Sequence, residues 1–142
     1  MNSTPSRIAM TAMCLITACL FSVNSASAQS HTMQIMIPFD FYVGETLMRA
    51  GTYDASAFDN ALVFQNASSR ASAGILTEPL KKLSRELYSP ELIFNKYGDD
   101  HFLTEVWWGH ATSIGAMVIS TKREVELAKT FRPIRVEARA RR

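Results

Sequence analysis

From Met33 to Val43 the chain alternates. Met33, Ile35, Ile37, Phe39, Phe41 and Val43 are apolar at a spacing of two, and Thr32, Gln34, Pro38, Asp40 and Tyr42 fall between them, with Met36 the exception. Successive side chains of a strand point to opposite faces, so this pattern predicts a strand packed on one side and wet or partly covered on the other. Burying six such side chains contributes about 1.5–3 kcal/mol each before entropy is subtracted. Pro38 has no N–H to donate, which predicts a sheet edge or a break in the ladder there.

Shorter runs follow, each bounded by turn residues. Gly44-Glu45 and Ala50-Gly51 mark turns, Thr52 to Phe58 alternates again, and Asp59-Asn60 closes that strand. Leu62 to Phe64 and Ala73 to Thr77 read as further strands, ended by Asn66-Ala67-Ser68-Ser69 and by Glu78-Pro79. Leu80 to Pro90 is polar and mixed; Leu80, Leu83 and Leu87 have helical spacing, but so little apolar surface predicts a loop with at most one helical turn.

A hairpin is predicted next, from Leu92 to Tyr97 and His101 to Trp108 around Gly98-Asp99-Asp100. Strict alternation puts Phe102, Thr104, Val106 and Trp108 on the core face and His101, Leu103, Glu105 and Trp107 on the other. Gly109 to Gly115 reads as a loop and Ala116 to Ser120 as a last sheet strand. Thr121-Lys122-Arg123-Glu124 has the form of a capping box, predicting a helix over 122–131 with Val125, Ala128 and Phe131 along one stripe and Pro133 beyond its end. Residues 134–140 alternate apolar with charged, a weak strand pattern on a fraying end. The fold class expected is all-β, an antiparallel meander of about six to eight strands forming a small barrel or sandwich, with one C-terminal helix.

The first 28 residues read differently. Arg7 is the only charged side chain before position 40, Ile8 to Val23 is largely apolar, and Ala26-Ser27-Ala28 is the small-x-small pattern that precedes signal-peptidase cleavage. The run is interrupted by Thr11, Thr17 and Ser22 and falls short of the roughly 20 apolar residues of a membrane span. Cleavage leaves Gln29 to Arg142 as an exported chain, periplasmic or secreted, with no transmembrane span expected. Ile16-Thr17-Ala18-Cys19 offers lipoprotein anchoring at Cys19 as a minor alternative, disfavoured because the apolar run continues past it. Both cysteines, Cys14 and Cys19, lie in this leader, so the processed chain would hold no disulfide, thiol nucleophile or thiolate metal site.

The 114 remaining residues suit one domain, read as a β-domain over 29–121 followed by a helix and basic tail over 122–142. Charge divides along the same boundary. Residues 29–121 carry six Lys/Arg against ten Asp/Glu, and 122–142 carry eight against three. A solvated tail is the plain reading, and contact with an anionic surface the functional one. Nucleic acid is a poorer partner, since no aromatic platform accompanies the arginines.

Three segments, Pro38-Phe39-Asp40-Phe41-Tyr42-Val43-Gly44 running to Ala50-Gly51-Thr52-Tyr53, Phe94 to Trp107, and Ser120-Thr121-Lys122-Arg123-Glu124 with Leu127-Ala128, resemble an uncharacterised family of small secreted β-rich proteins from acidobacteria and related soil bacteria. The resemblance covers most of the chain after the leader and implies an exported bacterial domain with no assigned activity. Family members usually have proline before the Ala-Gly turn; Arg49 stands there here, which implies a more flexible turn.

Candidate chemistry is sparse. His31, His101 and His110 lack the spacing of a zinc motif, no Gly-x-Ser-x-Gly elbow, Ser-x-x-Lys pair or phosphate loop occurs, and Asn66-Ala67-Ser68 is a sequon by chance. No cofactor is implied. Trp107 and Trp108 are neighbours on one strand and cannot share a core. Trp107, placed with His101 and Glu105 on the wet face, is the candidate binding anchor, against packing under the 80–90 segment or the terminal helix. The expected function is a non-enzymatic binding or structural module of the bacterial cell envelope, acting on an envelope component or small ligand. The alternative is a small extracytoplasmic hydrolase or metal-dependent enzyme using His101, His110 and nearby carboxylates.

Overall fold

The computed structural model describes residues 31–81, 89–109 and 114–140. Residues 1–30, with Cys14, Cys19 and the predicted cleavage pattern, lie outside the described residues, as do His110, Arg141, Arg142 and most of the 80–90 segment.

The alternating run becomes two strands, β1 (His31–Ile37) and β2 (Phe41–Val43). Met33, Ile35, Ile37, Phe41 and Val43 are all buried, and Phe39 packs partly buried against the same core. The ladder breaks at Pro38, where a donor is missing. The two halves then take different neighbours: β1 runs antiparallel to β4 (Gly51–Phe58), whereas β2 pairs with β3 (Thr46–Met48) and makes a parallel bridge, Tyr42 to Phe102, with β8 (Asp100–Trp107).

β5 (Ala61–Asn66) follows β4 through a tight turn at Asp59, which has a positive φ of 51°. β6 (Ser72–Lys81) is longer than the sequence predicts, because it does not stop at Glu78-Pro79. Its first half pairs with β5, its second half with β9 (Ile114–Val118), and Pro79 lies opposite Ala116. Past Leu76 the β5 ladder has ended, so Pro79 sits where one edge of β6 needs no donor.

The sheet order is β1-β4-β5-β6-β9-β8, with β7 (Glu91–Tyr97) on the other edge of β8 and β10 (Ile134–Arg139) beyond it. Ile35 of β1 and Ala138 of β10 belong to one core cluster, so the sheet curls around a single interior. β1 and β10 come near each other without pairing. The fold is all-β with one C-terminal helix; in place of a barrel or sandwich of antiparallel strands, it is one mixed ten-stranded sheet left open at the β1/β10 seam.

The segment from Ile134 to Arg139 is an ordered strand and not a fraying end. β10 pairs with β7 over six positions, Ala138 is buried, and Arg139 reaches the carboxylate of Glu91 at 3.3 Å. An open edge at Leu92 and Phe94 gives this weakly patterned segment a ladder that its own sequence could not supply.

α1 (Lys122–Thr130) starts as the capping box predicts, Thr121 Oγ1 accepting from the Glu124 N–H at 3.2 Å. Its rotation differs from expectation. Glu124 is buried and Leu127 half-buried, while Val125, Ala128 and Phe131 are exposed. The sheet beneath offers polar partners: Asn95 Nδ2 donates to Glu124, Arg123 pairs with Asp100 at 2.9 Å, and the Arg123 guanidinium lies 4.6 Å from the centre of the Tyr42 ring. Together these contacts fix which side faces inward.

Candidate functional site

The wet face of β8 is rearranged by a bulge. Ile93 pairs with Glu105 but Phe94 with Leu103, so Thr104 is an extra residue, its hydroxyl donating to the Ile93 carbonyl at 3.0 Å. One inserted residue reverses the facing of everything on one side of it. Leu103, Val106 and Trp108 consequently share the main core, and Trp107 falls in a separate cluster with Ile93 and Leu80.

The three sequence-predicted binding residues are therefore not brought together. Trp107 and Glu105 remain neighbours: the indole Nε1 donates to Glu105 at 2.9 Å, and Glu105 also accepts from Arg135 at 3.4 Å. Trp107 is only 2% exposed, lying over Gly115 opposite it on β9. Trp108 is buried as well and stacks on His31. Neither tryptophan is an exposed anchor, because the sheet has apolar clusters on both of its sides.

His101 lies on the core side of the bulge, stacked on Phe39 with ring centroids 4.2 Å apart. Its Nδ1 is buried without a hydrogen-bond partner among the described residues. Burial, reinforced by Lys96 on the neighbouring strand, holds the imidazole below its usual range, and the Asp99 and Asp40 backbones act in the opposite direction. A neutral ring packed on phenylalanine is a structural placement. Among the described residues no three His, Cys, Asp or Glu side chains are grouped to hold a metal ion.

Further polar groups have structural partners. Asn66 Oδ1 accepts the N–H groups of Ser68 and Ser69, closing the β5–β6 turn with a side chain that is almost fully buried. Asp40 accepts from the Ala50 N–H at 2.8 Å and pairs with Arg49 at 2.7 Å, which holds its carboxyl below the usual carboxylate range. Arg49, expected to loosen this turn, is instead tied across it. Tyr97, its hydroxyl pushed up first by burial and then by Glu124, sits under α1 with Phe102.

The charge division also resolves into contacts. Arg123 meets Asp100, Arg135 meets Glu105 and Arg139 meets Glu91, each joining the basic end of the chain to the acidic body.

What remains open is the outer face of β4, β5, β6 and β9. Phe58 pairs with Ala61 and Ala61 with Leu76, so these outward side chains lie in one row. Thr77 pairs with Val118, which brings Ile119 next to Leu76 at the end of the row. Phe58, Leu76 and Ile119 are about half exposed, and Val63 lies one row along. Because Ala61 and Gly74 are small, the surface between Val63 and Leu76 sinks into a hollow of about 260 Å³. Single exposed apolar residues are ordinary, whereas here strand register draws several together beside a hollow. The signal was available in sequence as Phe58, Val63, Leu76 and Ile119, but only the register aligns them. No family model, curated protein or solved structure matches the chain, and no helix among the described residues is long and apolar enough to cross a membrane.

Proposed function

We propose that the chain is an exported, non-enzymatic domain that works by contact, as a binding or structural module of the bacterial cell envelope. The observation that carries this reading is the apolar row Phe58–Ala61–Leu76–Ile119 with its hollow over Gly74, a surface shaped to receive an apolar group and bearing no reactive side chain. The leader pattern before Gln29 and the resemblance to small secreted proteins of soil bacteria support the compartment. Contact between the basic end of the chain and an anionic surface belongs to the same reading.

The test is fractionation of cells expressing the chain with a C-terminal epitope tag. The expected product has an N-terminus at Gln29 by mass and is found in the envelope or medium. Replacing Phe58 and Leu76 together by Ser is expected to leave the product folded and exported but to release it from its envelope partner. An unprocessed cytoplasmic product, or retention unaffected by the double substitution, refutes the reading.

A further inference from the structure

The helix α1 faces the sheet through Arg123, Glu124 and Leu127, and Lys122, Val125, Glu126 and Lys129 are exposed. Val125 on the helix, and Phe131 and Ile134 just after it, are 48%, 48% and 65% exposed. Val125 and Phe131 are six positions apart, about 9 Å along the helix axis, and Ile134 opens β10 three positions later, so the three lie within about 20 Å of one another.

The cations at this end of the chain divide into two sets. Arg123, Arg135 and Arg139 are paired to carboxylates of the body or of β10. Lys122 and Arg132 have no carboxylate partner among the described residues, and Lys129 pairs only with Glu126 of the same helix, both largely in water. An exposed pair of that kind holds its partners weakly. Lys122, Lys129 and Arg132 thus surround Val125 and Phe131 with positive charge that the fold does not use.

We infer that the Val125–Ile134 edge is a peripheral contact for an anionic lipid bilayer, an inference that rests on the contact-module reading above and gives that module a partner. The charges are complementary to acidic headgroups, and the exposed apolar side chains can enter the boundary between headgroups and acyl chains. Three partly exposed side chains are far less than the roughly 800 Å² per partner that a stable protein–protein interface buries. Shallow insertion beside several cations requires no more than this edge provides.

Sedimentation with vesicles tests it, using the protein as recovered from expressing cells. Binding is expected to phosphatidylglycerol vesicles at low salt, at least tenfold weaker to phosphatidylcholine vesicles and to either in about 0.5 M salt. Lys122→Gln with Arg132→Gln, and separately Phe131→Ser with Ile134→Ser, are each expected to lower partitioning about tenfold or more. Circular dichroism should show both variants folded, since every substituted residue is exposed. No binding, equal binding to both lipids, or binding that both double variants retain overturns the inference. Because every variant is compared in one background, this result is independent of where the protein is found by fractionation.

Discussion

The indole of Trp107 rests on Gly115, so closely that a Cβ at that glycine would lie 2.5 Å from the ring Cε3. The two residues are paired across β8 and β9. Gly115→Ala is expected to push the ring out of its cluster with Ile93 and Leu80 and to destabilise the domain by about 1–3 kcal/mol, the usual cost of overpacking. Urea unfolding followed by tryptophan fluorescence measures this; an unchanged midpoint and an unchanged emission maximum would show that the ring does not depend on that space.

Glu91 is 2% exposed and its carboxyl is pushed up, first by burial and then by hydrogen bonding to Glu137, with Arg139 opposing. A carboxyl whose folded value lies above its unfolded one favours the folded state when protonated. Its contribution is therefore fully present below the ordinary glutamate range and is lost as pH rises through the raised value. Glu91→Gln keeps a neutral side chain at every pH. It is expected to flatten the pH dependence of the urea midpoint from the ordinary glutamate range upward, and a wild-type slope retained in the variant would refute the assignment.

Asp40 titrates in the other direction. The Ala50 N–H and then Arg49 hold it ionised, so its contribution is present above the ordinary aspartate range and is lost as pH falls through the depressed value. Asp40→Ala is expected to lower the thermal midpoint more than Arg49→Ala, because only the former leaves the backbone N–H of Ala50 without its acceptor. Equal effects would mean that the exposed ion pair, and not the backbone contact, fastens the turn.

His101 is held neutral by burial against Phe39, so protonation should work against the fold. Its stabilising contribution is expected to disappear as pH falls from the unfolded histidine value to the depressed folded one. His101→Phe preserves the stacked ring and is expected to remove this acid-side loss. NMR titration of the imidazole gives a direct check, and a value at or above that of a free histidine would contradict the placement.

The strand from Met33 to Val43 was legible because its period-two pattern is long and its one flaw, Pro38, has a definite chemical meaning. β8 was not, because a single inserted residue at Thr104 moves His101 and Leu103 to the opposite face from that given by alternation. The spacing of three between Leu103 and Val106 is the trace it leaves in sequence. β10 depends on a partner edge at Leu92 and Phe94 that no local pattern announces. The helix was found from Thr121 and Glu124, but its rotation followed from Asn95, Asp100 and Tyr42, residues distant along the chain. The open surface on β4–β6 was invisible for the same reason: Phe58 and Leu76 meet only once the hairpins are in register.

One consequence follows from Ala138 sharing its core with Ile35. The interior contains residues of the first and of the last strand of the described chain, so a growing polypeptide cannot complete it until β10 has been made. Until then β7 has an unpaired side and the greasy filling is incomplete. Folding therefore depends on contacts between the two ends of the described chain, which are the slowest to form.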